Sequence, residues 1–158
     1  MKTLGFAILL TALVSPGDQP LRDPVTLQVI AVHATNENHG KSEKVFDSGL
    51  ENVRKALEGL SFDTFHKLKS TSKTVKPAET ADIEIDDTYT LHVTPVAKDS
   101  EERFRVSVVI DETIEKDGKK ETREALNATC AVVPGKHLVL GGLNMPKGQL
   151  VLLLSIAE

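Results

Sequence analysis

Residues 89–94 read Tyr-Thr-Leu-His-Val-Thr, and residues 103–110 read Arg-Phe-Arg-Val-Ser-Val-Val-Ile. Tyr89, Leu91 and Val93 alternate with Thr90, His92 and Thr94, and Phe104, Val106, Val108 and Ile110 alternate with Arg103, Arg105 and Ser107. A period of two is that of a pleated strand with one face buried. Lys116-Asp117-Gly118-Lys119 follows, and an Asp-Gly pair takes the positive φ angles that a tight hairpin turn requires. The chain then returns through Glu121–Val133, with Leu126, Ala128, Cys130 and Val132 sharing a face. Residues 89–158 therefore predict a β-meander.

Working outward toward the C-terminus, Pro134-Gly135 turns the chain into a strand over His137–Leu140, Gly141-Gly142 is expected to bend it, and Asn144–Gly148 turns it again. The last strand, Gln149–Ile156, is apolar on both faces: Leu150, Leu152, Leu154 and Ile156 on one, Val151 and Leu153 on the other. Such a strand belongs inside a sheet or under a helix, because as an exposed edge it would template aggregation.

Toward the N-terminus, Ile83 and Ile85 continue the phase of Tyr89, Leu91 and Val93, and a turn at Asp86-Asp87 makes two strands of the run. Pro95 is expected to end a strand or mark an edge. Ser70–Thr80 is polar and contains Pro77, so a loop or irregular edge is expected there, after a strand over Phe62–Ser70. Leu50, Val53, Leu57 and Leu60 fall on one helical stripe, with Glu51, Arg54, Lys55 and Glu58 facing out. Ser48 and Glu51 have capping-box spacing and Gly59 supplies a stop. Val25–Ala34 is apolar on both faces, as a central strand would be. Thr35–Lys44 is a polar loop, the kind of segment in which binding specificity sits.

The domain reading is an export signal over 1–17, a polar, extended and mobile linker over 18–24, and a single α+β domain over 25–158: a mainly antiparallel β-sheet with one helix packed on a face. Lys2 provides a short basic region, Leu4–Val14 an apolar stretch, and Ser15 and Gly17 small residues before a cut. Leu4–Val14 is well short of the roughly twenty residues that span a bilayer, so no stable membrane span is expected after cleavage. Periplasmic or secreted localisation follows. A formal charge of −4 with no clustered basic face argues against nucleic acid as a partner. The sole cysteine, Cys130, is expected to be a small buried hydrophobe.

The succession Tyr89-Thr90-Leu91-His92-Val93-Thr94-Pro95, then Val106–Thr113, then Pro134-Gly135-Lys136-His137-Leu138-Val139-Leu140-Gly141-Gly142-Leu143 resembles the C-terminal core of bacterial secretins. Those outer-membrane channels carry similar L-x-V-T-P and G-x-x-x-V-x-G-G-L segments in the same order. A secretin's ring domains, membrane-inserting region and lip are not expected within these 158 residues. The resemblance implies a small exported relative that keeps the hairpin architecture and packs against other envelope proteins.

His33, His39, His66, His92 and His137 fall in no zinc-ligand spacing, and Asp82, Glu84 and Asp86 lack the loop of a calcium site. The carboxylates are expected to form an acidic strand face paired with Arg103 and Arg105. No nucleophile elbow, phosphate loop or dinucleotide fingerprint is present. The expectation is a non-enzymatic interaction or assembly module without a catalytic, metal or cofactor site. Its partners would be other envelope proteins or a second copy, met through the Thr35–Lys44 loop, the Ser70–Thr80 segment or an unpaired strand edge. Candidate contact residues are Asn36, Asn38, His39, Lys41, Lys73 and Lys76. Two alternatives are a small metal-dependent hydrolase built from His33, His66 and the Asp82 cluster, and a ligand-binding periplasmic domain using the space between helix and sheet.

Overall fold

The computed structural model describes residues 17–38 and 43–157; most of the expected export signal lies outside the described residues. Ten strands occur among the described residues: β1 (Gln19–Pro20), β2 (Val25–Thr35), β3 (Val45–Phe46), β4 (Thr64–Val75), β5 (Ala81–Glu84), β6 (Tyr89–Lys98), β7 (Phe104–Lys116), β8 (Lys119–Val132), β9 (Leu138–Met145) and β10 (Gly148–Ala157). A 3-10 turn over Glu51–Val53 runs into the single α-helix, α1 (Arg54–Glu58).

The architecture is α+β, mainly antiparallel sheet, with one helix packed on a face. The sheet is in fact two sheets. In one, β6, β7 and β8 form the first part of the expected meander, which does not continue into β9 and β10, and the far edge of β6 is shared by β5 and β1. In the other the order is β3-β4-β2-β10-β9, antiparallel except for the short β3–β4 pair. Leu91, Val93, Val106, Val108 and Ile110 of the first sheet share a buried cluster with Leu27, Val29, Leu150, Leu152, Leu154 and Ile156 of the second. The two sheets are therefore a sandwich. A second cluster lies on the other face of the second sheet, where Val32, Ala34, Phe65, Val151 and Leu153 meet Leu50, Val53 and Leu57. Each of those three helical-segment side chains, fully buried, contributes roughly 1.5–3 kcal/mol.

β10 lies between β2 and β9, as its doubly apolar sequence requires. β2 is likewise central, although Gln28 is exposed because the helix covers only the later part of the strand. At the β7–β8 turn, Asp117 and Gly118 have φ of 54° and 73°, and Lys116 pairs with Lys119. A two-residue hairpin results. Residues 86–88 close the β5–β6 hairpin, and the Asp86 carboxylate accepts the N–H groups of Thr88 and Tyr89. Tyr89 then links the sheets: its hydroxyl donates to the Asn144 carbonyl at 2.8 Å.

Several expectations give way. The capping box does not form. The 3-10 turn begins beyond Ser48, at Glu51, so the Glu51 carboxylate reaches back to the Gly49 N–H at 3.2 Å and no side chain caps the N-terminus. Residues 70–75 are not a loop but the second half of β4, paired with Val25–Ile30. Their polarity reflects position, since this half of β4 is solvent-exposed and Lys69 and Lys73 reach the backbone carbonyls of Glu84 and Asp82 on β5. Gly141-Gly142 forms a bulge within a continuous β9, opposite Val151, instead of a bend. Pro95 does not end β6. It lies between the stretch paired with β5 (Thr90–Val93) and the stretch paired with β1 (Ala97-Lys98), where no neighbouring strand needs its missing N–H. The linker is extended but tied down. Gln19 and Pro20 pair with β6, and the buried Asp18 carboxylate forms an ion pair with Arg105 at 3.1 Å.

The β9–β10 turn brings Gly148 against β2 so closely that a Cβ there would lie 2.1 Å from the Ala34 carbonyl oxygen. Gly148→Ala should therefore force the β2–β10 pairing apart. A destabilisation of about 1–3 kcal/mol is expected, read as a lowered urea midpoint with an unchanged slope. An unchanged midpoint would mean that this contact does not constrain the sheet.

Candidate functional site

Two polar constellations contain the histidines of the strands. On the outward face of the first sheet, His92 of β6 sits between Asp82 of β5 and Asp111 of β7. Its Nδ1 is 2.6 Å from the Asp82 carboxylate and its Nε2 is 3.0 Å from Asp111. The arrangement follows from register: Asp82 is directly opposite His92, and Asp111 is diagonal to it, two residues on from Val109. The hydrogen bond to Asp82, then the bond to Asp111 and both carboxylate charges, raise the His92 pKa against the opposing effect of burial. In its protonated form the ring donates from both nitrogens, one to each carboxylate, and so bridges three strands. Of the acids on β5 and its turn, Asp82 pairs with His92 and Asp86 with backbone N–H groups, while the expected arginines bind elsewhere. Arg103 binds Asp99 and Glu101, and Arg105 binds Asp18.

On the second sheet His33 and His66 are cross-strand partners with ring centroids 6.4 Å apart. His66 lies 3.3 Å from Glu37 through Nε2 and 3.4 Å from Asp47 through Nδ1. Its pKa is raised, chiefly by the hydrogen bond to Glu37 and further by Asp47. His33 Nε2 is buried without a hydrogen-bond partner among the described residues. Asp82 is not part of this group, so the alternative that joins His33, His66 and the Asp82 cluster is not assembled in space. Among the described residues no three His, Cys, Asp or Glu side chains are grouped to hold a metal ion.

The candidate contact residues do not form one surface. Asn36 is exposed just after β2, whereas Asn38 is used internally, its backbone N–H donating to Asp63 and its side chain to the Glu43 carbonyl. His39 and Lys41 lie outside the described residues. Lys73 is engaged with the Asp82 carbonyl, and Lys76 lies just past the end of β4. Thr35 pairs with Thr64 at the start of β4, so the loop and these lysines are separated by the length of that strand, about 35 Å at ~3.3 Å per residue.

Between helix and sheet, Leu50, Val53, Leu57, Phe65, Val151 and Leu153 are buried together in one apolar cluster. A concavity of about 740 Å³ lies at the end of the sandwich between residues 19–26 and Lys98, Phe104 and Ala157. Lys98 stacks over the Phe104 ring at 5.0 Å, and the remaining lining comes mostly from the N-terminal segment. Cys130, half-buried on β8, packs against the inter-sheet core, and burial raises its thiol pKa.

The feature that stands apart is the β7–β8 hairpin. β6 accompanies β7 only as far as the Tyr89–Glu112 pair, so Thr113–Lys116 and its partners on β8 project as an arm. β8 ends the sheet, is exposed from Lys119 to Ala125, and has no strand on its outer edge among the described residues. Its backbone is accessible for a further strand, whereas the outer carbonyls of β5 are covered by Lys69 and Lys73.

Compared with known proteins, the chain matches no family model, no curated protein and no solved structure. Among the described residues no helix is long and apolar enough to cross a membrane.

The His92 bridge yields a pH signature. A histidine whose folded pKa lies above its unfolded value, near 6.5, contributes stability that is fully present below that value and is lost as pH rises through the folded pKa. His92→Gln should therefore destabilise the protein by on the order of 1 kcal/mol near pH 5.5, a modest figure because Asp82 is well exposed, and by less above pH 8. Urea unfolding of parent and variant across that range checks it. A difference independent of pH would show that His92 acts by packing.

Proposed function

We propose that this protein is an exported, non-enzymatic interaction or assembly module of the bacterial cell envelope, related to the secretin core, and that it engages its partner through the outer edge of β8. The observation that carries this reading is the projecting β7–β8 arm with its unpaired edge. An extended segment that adds to such an edge gains main-chain hydrogen bonds along its length and specificity from alternate side chains. The chemistry of the rest of the surface supports this. His66 and His92 are held by carboxylates, and the secretin-like segments fall on β6, on β7, and on β9 with the turn before it. The export signal expected over residues 1–17 supports a periplasmic or secreted location.

A trimmed variant tests the reading. Deleting Thr113–Lys116 and Lys119–Thr122 leaves Asp117-Gly118 between Glu112 and Arg123, a pair that keeps the hydrogen-bonding parity of the present turn. The variant is expected to melt within a few degrees of the parent, since those segments project from the sandwich. Expressed with a tag in its own host, the parent should retain an envelope partner, itself included, through mild detergent extraction, and the variant should lose it. Retention by the folded, trimmed variant would remove the projecting arm from the reading, and absence of any partner for the parent would remove the interaction module itself.

A further inference from the structure

We propose that the strand completing the β8 edge is β8 of a second copy of this chain, paired antiparallel about a two-fold axis at Thr122. The proposal rests on the interaction reading above and names its partner.

Backbone direction comes first. In a two-residue hairpin the residues flanking the turn form a hydrogen-bonded pair, and pairs alternate from there. Lys116 and Lys119 flank the turn, so Thr113–Thr122 is a non-hydrogen-bonded pair. Independently, the Thr113 N–H donates away from β8, to the Thr88 carbonyl at 2.7 Å. The N–H and C=O of Thr122 therefore point to the free edge, and by alternation so do those of Lys120 and Glu124. Beyond Glu124 the register shifts at Ala125, so Lys119–Glu124 is the regular stretch of edge before the bulge.

Charge then selects the register. Residues 120–124 read Lys-Glu-Thr-Arg-Glu. Antiparallel pairing about Thr122 sets Lys120 opposite Glu124 of the second copy and Glu121 opposite Arg123, each twice by symmetry, with Thr122 facing its own equivalent. Every cross-strand charge meets its opposite, and the edge-directed backbone groups of residues 120, 122 and 124 meet one another. The neighbouring registers of the same parity are poorer: moving the axis to Glu121, Arg123 or Glu124 opposes that residue with itself, and moving it to Lys120 opposes Lys120 with itself and sets the turn residue Gly118 against Thr122, which cuts the paired stretch short. Like charges directly opposed across strands are destabilising. Arg123 uses its Nε on Glu112 at 2.7 Å and remains 63% exposed, which leaves its terminal nitrogens for Glu121 of the second copy. The pairing is isologous, as a closed dimer requires.

Sedimentation of the purified chain from about 10 μM to about 1 mM covers the range expected for a small polar interface. The parent should shift from monomer to dimer within it. Lys120→Glu should weaken association on the order of tenfold by placing Glu against Glu twice, and the double variant Lys120→Glu/Glu124→Lys should restore it. In a Cys130→Ala background, Thr122→Cys should couple to its equivalent under mild oxidation, because hydrogen-bonded partners bring Cα atoms to about 5.5 Å, whereas Lys120→Cys should not. A parent that stays monomeric throughout overturns the second-copy assignment, while arm-dependent capture of a different envelope protein would leave the broader interaction reading standing. A dimer indifferent to the charge swaps and to Thr122→Cys overturns the register and places the contact elsewhere.

Discussion

The structure depends on the burial of β10 on both faces. Leu150, Leu152, Leu154 and Ile156 enter the space between the sheets, while Val151 and Leu153 enter the space beneath the helix. A strand of this kind needs a covering layer on each side and a neighbour along each edge, and β2 and β9 provide the edges. The three-layer order of sheet, sheet and helix is the consequence. It also explains why five helical residues suffice: α1 and the turn before it cover only the end of the second sheet where Phe65, Val32 and Ala34 would otherwise be wet. Removing that cover would expose Val151 and Leu153 in the middle of a strand whose other face is already committed.

Around this core the polar groups mostly secure strand margins. Asp18 and Arg105 fix the N-terminal segment beside β6, the Tyr89 hydroxyl joins the two sheets, and Lys69 and Lys73 lie across the outer carbonyls of β5. Lysines at an edge are a recognised defence against unwanted pairing. β9 is interrupted by its glycine bulge. The arm of β8 differs: its charges alternate in sign along a regular backbone, so they discriminate among strands presented to it instead of repelling all of them.

The strands of the C-terminal half were legible because one buried face imposes a period of two, and the Asp117-Gly118 turn fixes which residues oppose each other. That there are two sheets was not legible. Inward-facing residues of β6 and of β9 carry the same alternation whether they share a sheet or face each other across a gap. β4 was hidden from residue 70 onward for the opposite reason: a strand wet at the sandwich margin has no apolar period to read. The Ser48–Glu51 spacing misled because the same two residue types also suit a turn, and Gly49, with φ of 88°, makes one there. The His92 bridge was within reach. Once a turn is placed at residues 86–88, Asp82 falls opposite His92 by counting, whereas assigning Asp82 to the arginines required a partner from strands not yet placed.

The histidines and the arm use the same property in different ways. A cross-strand pair is set by register, so a side chain whose partners are already positioned by the sheet does not need to search for them. For His92 the partners are Asp82 and Asp111, and the two contacts join β5 to β6 and β6 to β7. For Lys120, Glu121, Arg123 and Glu124 the inner register against β7 is fixed, and the outward row is therefore presented as a rigid sequence of alternating charge. Preorganisation of this kind lowers the ordering cost of adding a strand, a cost that comes on top of the lost translational and rotational freedom of the partner. A flexible loop bearing the same five residues would have to be ordered first. The selective surface is thus best placed on the hairpin, where the covalent turn and the β7 ladder have fixed the geometry before any partner arrives.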